Sequence, residues 1–237
     1  MKTPRNQGFT LIELLVVITI IAILASIAVP VYNGITIRAE QTKALSNAKQ
    51  IALACKIFAI DNDGIFPDTE GVGTGSLDRD SYAAGGGSPD SAATKNFGAL
   101  IGGGYLPSES IFWISKERNG TARLVRPDDD ISSGTDGVAL ASNAWGYTAG
   151  ADDGSSASLP LVYTRSATAG VWPYKDQTKE GGVWTDKIIV VSTDYAGQVV
   201  KLLSTGSTGV ANTASGNNMF TDTSIWGTGT AFTICNN

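Results

Sequence analysis

The sequence predicts an α+β fold in which one long N-terminal helix packs on an antiparallel β-sheet. Three observations carry that expectation. The run from Phe9 to Pro30 is apolar except at Thr10, Glu13, Thr19 and Ser26. Apolar residues then recur at spacings of three and four to about residue 61, the period of a helix with one buried face. From about residue 111 onward, short β-branched and aromatic runs alternate with Gly and Asp turns.

Composition narrows the chemistry before any motif is considered. The chain has 237 residues, room for one domain with an extension or for two small domains. A net charge of −5 leaves no basic footprint for nucleic acid. Histidine is absent, which removes His-based triads, general bases and metal ligands together. The two cysteines, Cys55 and Cys235, do not form the close pairs of a thiolate zinc site. The expectation is therefore a chain without catalysis of its own and without a resident cofactor. An anchored secreted hydrolase would need two acids meeting in a cleft, which a sequence cannot display.

The first thirty residues are the most informative. Lys2 and Arg5 precede the apolar run, which as a helix would span about 33 Å, enough for a hydrocarbon core. With the basic residues on one side only, the N-terminus is expected in the cytoplasm and the remainder outside it. A secretory signal peptide cut near Ser26-Ile27-Ala28 has the same outline, as has a plain membrane anchor. A buried core helix fits less well, because the run is apolar on every face. Glu13 separates the readings. A carboxylate in the bilayer centre costs on the order of 2.5–3.5 kcal/mol and calls for a partner. Neither a signal peptide nor a plain anchor uses one.

Gly8 followed by Phe9-Thr10-Leu11-Ile12-Glu13-Leu14 resembles the prepilin signature of type IV pilins and type II secretion pseudopilins. The resemblance implies a pilin-like fold and a filament subunit of one of these two systems. It further implies a leader, residues 1–8, cut by a prepilin peptidase between Gly8 and Phe9, with methylation of the new Phe9 amine. Glycine suits a cleavage site because it brings no side chain to the protease. Glu13 of one subunit would then neutralise the Phe9 amine of a neighbour, two charges unfavourable alone and favourable as a pair at low dielectric. The implied partners are the peptidase, sibling subunits, an inner-membrane assembly platform and an assembly ATPase. The implied location is the inner membrane, with the C-terminal domain periplasmic or extracytoplasmic. A minor pilin-like tip or surface binding protein is the alternative within the same resemblance.

Residues 9–30 are thus expected to form the membrane and assembly helix, and residues 31–64 its amphipathic continuation. Pro30 removes one helical N–H and invites a kink, at a place where many pilins carry a helix proline. Leu45, Ala48, Ala52, Cys55 and Ala59 form the buried stripe, with Glu40, Lys43, Lys49 and Lys56 on other faces. Asp61-Asn62-Asp63-Gly64 should stop the helix, with Gly64 left-handed and Pro67 barring continuation. The stretch from Phe58 to Pro67 resembles the helix exit of type II major pseudopilins. As a calcium loop the Asp-Asn-Asp-Gly segment lacks the third acidic position and the distal glutamate.

Residues 65–237 are expected to be a β-rich domain containing a long Gly/Ser-rich loop at about 68–96. The expected strands are Ile111 to Ile114, Ala122 to Val125, Ala144 to Thr148, Leu159 to Tyr163, Lys187 to Ser192 and Gln198 to Leu203. The last two form a hairpin through Asp194 to Gly197, resembling prepilin-like proteins that carry Asp-Gly in that turn, where this chain has Tyr195 and Ala196. Asp128 to Asp130 and Asp152-Asp153 read as solvated loop charge, or as loop carboxylates for calcium of the kind that type II major pseudopilins bind. Export would place Cys55 and Cys235 in an oxidising space, where a bridge closing so long a loop would stabilise by roughly 5 kcal/mol. Trp113, Trp145, Trp172, Trp184 and Trp226 are either core or aromatic platforms.

Overall fold

The computed structural model describes residues 10–67, 92–120, 122–127, 142–166, 170–213, 216–226 and 233–235. Contacts divide the chain into two units, Met1–Glu40 and Gln41–Asn237. Helix α1 (Leu11–Asp61) begins in the first and ends in the second. Residues 1–9, which hold the expected leader and the expected cleavage pair Gly8 and Phe9, lie outside the described residues, as do Asp128 to Asp130 and most of the expected long loop.

In the second unit α1 presents the stripe that its spacing predicts. Ala44, Ala48, Ile51, Ala52, Cys55, Phe58 and Ala59 are all buried. Four of the seven are alanines, which lets a sheet approach the helix backbone closely and leaves Ile51 and Phe58 to supply most of the apolar burial, about 1.5–3 kcal/mol each. The helix stops where Asp61-Asn62-Asp63-Gly64 predicts. Asp63 (φ 53°) and Gly64 (φ 83°) are both left-handed. The Gly64 N–H donates to the Ala59 carbonyl at 2.8 Å, and the Asn62 side-chain amide donates to the Phe58 carbonyl at 2.7 Å. Carbonyls left open by the helix end are thereby satisfied.

The sheet has seven strands in the order β5-β8-β7-β6-β4-β3-β9, every pairing antiparallel. Its members are β3 (Trp145–Ala149), β4 (Pro160–Thr164), β5 (Trp172–Pro173), β6 (Lys187–Ser192), β7 (Gly197–Ser204), β8 (Thr208–Ala211) and β9 (Thr233–Cys235). A separate two-residue ribbon pairs β1 (Arg118–Asn119) with β2 (Ala122–Arg123). Strand β6 matches its expected bounds, and β3, β4 and β7 fall within one residue of theirs. Strands β1, β5, β8 and β9 were not expected, and β2 ends at Arg123, two residues short of the expected Val125. Each of the unexpected strands is short and carries little alternation of its own.

Two expectations are corrected. Ile111 to Ile114 does not form a strand. Glu109–Phe112 is a 3₁₀ turn whose start is capped by the Ser108 hydroxyl, which accepts from the Ser110 N–H at 3.2 Å. Local capping by serine outweighs the β-propensity of two isoleucines. The expected loop does not run to residue 96, because helix α2 (Ala92–Gly102) occupies its end. Ala93, Phe97, Leu100 and Ile101 are buried along α2, a three-and-four spacing that the neighbouring glycines obscure.

Both faces of the sheet are covered at β3, β4 and β6, so β3 and β4 are buried at every position and β6 at all but its first, whereas β7 is largely exposed. On one face Tyr147 stands beside Cys55 of α1 and edge-on to Phe97 of α2, with ring centroids 5.4 Å apart. On the other, Tyr163 meets Trp172 and Phe220 edge-on, at 6.5 and 4.9 Å. The unbroken Ile188-Ile189-Val190-Val191 run is the signature of a strand enclosed on both sides.

Candidate functional site: the N-terminal helix and its start

Helix α1 opens with a capping box. Thr10 precedes the first helical residue, and Glu13 is the third residue inside. The Thr10 N–H and hydroxyl both donate to Glu13 Oε2, at 2.8 and 2.7 Å, and the Glu13 N–H returns to Thr10 Oγ1 at 3.3 Å. Two donors that a helix start leaves open are satisfied reciprocally. The pattern Thr-x-x-Glu that specifies this box is present in the sequence at Thr10 and Glu13.

Beyond this box the first part of the helix presents mostly hydrocarbon. Leu11, Ile12, Leu14, Ile18, Ile21, Leu24 and Ile27 are each more than half exposed. The two hydroxyls in the run are turned back onto the helix: Thr19 Oγ1 donates to the Val16 carbonyl at 2.8 Å and Ser26 Oγ to the Ile23 carbonyl at 2.7 Å. That removes the cost of carrying hydroxyls through an apolar medium. Among the described residues this is one helix long and apolar enough to cross a membrane. The helical assignment runs through Pro30 without interruption.

In the second unit the outward face of α1 carries Leu53, Ile57 and Ile60, exposed by 53, 44 and 72%. The opposite face holds the domain. Tyr105 packs edge-on to Phe58 at 5.4 Å and donates its hydroxyl to Asp61 at 3.0 Å. Lys56 pairs with Asp153, a partly exposed bridge worth at most about 1 kcal/mol. The hairpin tip between β6 and β7 also docks here. Tyr195 adopts a left-handed φ of 65°, and the Ala196 N–H donates to the Asp194 carboxylate at 2.9 Å. A tyrosine thus takes the backbone shape that Asp-Gly would supply, and its ring packs near Cys55. Burial pushes the Tyr195 hydroxyl up to about 12, with the nearby Cys55 adding to it.

Cys55 is a free thiol, fully buried, and burial drives its ionisation far above the ordinary thiol range, opposed in part by the Tyr147 hydroxyl. The register sets Cys235 of β9 opposite that same Tyr147. The side chain of Cys235 is outside the described set. Of the five tryptophans, Trp145, Trp172 and Trp184 are core, whereas Trp113 and Trp226 are half-buried. Asp152 accepts from the Ser155 hydroxyl at 2.8 Å within its own turn. Among the described residues, no three His, Cys, Asp or Glu side chains come together as a metal site.

A buried charge network joins residues far apart along the chain, a pairing that sequence spacing does not display. Arg165 Nε donates to Glu180 at 2.8 Å in the interior. Glu117 Oε1 accepts from the Arg118 and Gly181 N–H groups at 2.8 Å each. Glu180 also accepts from the Gly120 N–H at 2.9 Å. Desolvation lifts the Glu117 carboxyl to about 7, against the hydrogen bonds from Arg118 and Gly181 and the attraction of Arg165. The network ties the β1–β2 ribbon to the loop before β6.

Comparison with known proteins meets the chain at this N-terminal helix. Residues 3–29 match the prokaryotic N-terminal methylation motif. A type IV major pilin protein of Myxococcus xanthus is 47% identical over 60 residues, 25% of this chain and 27% of the pilin. The type II secretion system core protein G of Aeromonas hydrophila is 41% identical over 70 residues, 30% of this chain and 48% of the relative. A probable minor fimbrial protein of Dichelobacter nodosus is 41% identical over 81 residues, 34% of this chain and 47% of the relative. The chain therefore spans about a quarter to a half of the length of these relatives. No solved structure matches it. Over its N-terminal helix the chain is therefore similar to prepilin-type proteins, through the methylation motif and these relatives.

Proposed function

We propose that this chain is a structural subunit of a type IV pilus-like or type II secretion filament, processed by a prepilin peptidase and assembled through α1. The observation that carries the reading is the coincidence of the methylation motif with a helix whose apolar side chains are exposed among the described residues. Such a surface is stable only in lipid or against other helices, and a subunit that leaves the membrane to join a filament exchanges one for the other. Cleavage after Gly8 would leave the Phe9 amine beside the Thr10–Glu13 box. The Glu13 carboxylate, exposed at the helix start, is free to exchange its bond to the Thr10 N–H for the amine of a neighbouring subunit.

Co-expression with a prepilin peptidase, followed by intact mass and N-terminal sequencing, tests the reading. A chain beginning at N-methylated Phe9 supports it. A chain beginning near Ala28 would mean a secretory signal peptide and would remove the assembly helix altogether. Electron microscopy of cells with and without sibling subunits then separates a major subunit, which forms filaments alone, from a minor one, which does not.

A further inference from the structure

A hollow of mixed polar and apolar lining lies in the second unit, between α1 and the segment that follows α2. Its cavity of about 340 Å³ is lined by Lys43, Asn47 and Gln50 from α1, and by Ser110, Trp113 and Arg126 among others across from them. The three helix residues recur at four and three, so they share one face of α1, beside the stripe that packs on the sheet. The lining holds two cations and no carboxylate, in a chain whose net charge is −5. Among the described residues neither Lys43 nor Arg126 forms an ion pair. Arg126 instead sits 5.9 Å from the Trp113 ring centroid. Glu109, between two serines that border the hollow, is buried and does not line it.

We propose that this hollow binds an acidic sugar, a uronate unit of a polysaccharide. Lys43 and Arg126 would take the carboxylate, Arg126 with its fork of donors. Asn47 and Gln50 each bring a donor and an acceptor, the pairing that neighbouring sugar hydroxyls require and that a bare inorganic anion cannot use. Trp113 and Pro107 supply the apolar wall against which the ring carbons rest. The volume is that of a site for one or two sugar rings, at the lower end of small-ligand pockets.

The test uses the full chain in detergent micelles, unassembled, so its outcome does not depend on filament formation. Binding of trigalacturonate is measured by calorimetry beside a neutral galactose trimer, inorganic phosphate and a short aspartate peptide. The expected result is binding of trigalacturonate that weakens with salt and falls roughly tenfold in Lys43→Gln and in Arg126→Gln. Both positions are exposed, and thermal melting checks that the variants stay folded. Equal binding of the neutral trimer overturns the role of the cations. Equal binding of phosphate reduces the hollow to a point of charge, and equal binding of the aspartate peptide reassigns it to a protein partner. Absence of uronate binding at millimolar concentration, or unchanged binding in both variants, also overturns the proposal.

Discussion

Thr10 and Glu13 are mutual caps at the start of α1, with the Glu13 carboxylate receiving both the N–H and the hydroxyl of Thr10. This gives Glu13 two separable duties, closing the helix start and carrying a charge. Glu13→Gln retains the hydrogen bonds, since glutamine serves in a capping box, but loses the charge. Thr10→Ala loses the cap, at about 1 kcal/mol, and keeps the charge. With assembly dependent on the charge, filament yield falls at least about tenfold in Glu13→Gln and stays near normal in Thr10→Ala, both chains still being cleaved. Equal defects in the two variants would assign Glu13 to capping alone.

Gly146 on β3 lies opposite Tyr163 on β4, and a β-carbon built at Gly146 would stand 2.4 Å from the tyrosine ring. That ring is fully buried, held against Trp172 and Phe220, with its hydroxyl donating to the Tyr147 carbonyl at 2.8 Å. It has nowhere to move. Gly146→Ala should destabilise the domain by about 1–3 kcal/mol, read from the midpoint of urea unfolding.

Glu117 sets a pH dependence of unusual sign. Its carboxyl is raised from 4.5 to about 7 in the folded chain, so the folded state holds the proton more tightly than the unfolded one. The contribution to stability is present in full below about pH 4.5 and is lost as the pH rises through about 7. The charged groups facing it are Arg165, which opposes the shift, and Glu180, which adds to it. Glu117→Gln keeps an acceptor for the Arg118 and Gly181 N–H groups without the ionisation. Urea midpoints compared at about pH 5 and about pH 8 should fall less in Glu117→Gln than in the parent chain, by on the order of 2 kcal/mol. A parent chain equally stable at both values would refute the assignment.

Cys55 is enclosed and its thiolate is disfavoured, so alkylation of the reduced chain should leave Cys55 unmodified until the domain unfolds. Mass mapping after brief iodoacetamide treatment, with and without denaturant, reads this directly. The register sets Cys235 opposite Tyr147, whose hydroxyl lies beside Cys55. Chain recovered from an oxidising compartment is therefore expected to lack two hydrogens by intact mass, as a Cys55–Cys235 bridge requires.

The sequence was most legible where one residue type answers one constraint. The apolar run could belong only to a segment in contact with lipid or other helices, and the Ala48, Ala52, Cys55 and Ala59 stripe fixed which face of α1 meets the sheet. The Ile188-Ile189-Val190-Val191 run announced a central strand covered on both sides. What escaped were elements set by their neighbours. Strand β5 is two residues long and exists because β8 pairs with it, and α2 is masked by glycines on either side. The Arg165, Glu180 and Glu117 network joins segments that only the fold brings together. Trp113 could not be told from a core tryptophan until three of its counterparts proved to be buried and it proved not to be.

Among the described residues strand β9 pairs with β3 alone, far earlier in the chain, and it forms one margin of the sheet. Synthesis runs from the N-terminus, so α1 and every other strand are available before the residues that cover β3 have been made. Until then the β3 margin presents unpaired N–H and carbonyl groups to its surroundings. Prematurely terminated chains would keep the anchoring helix yet expose a strand able to recruit another copy. Residues Thr233–Cys235 thus act as a seal on the β3 margin.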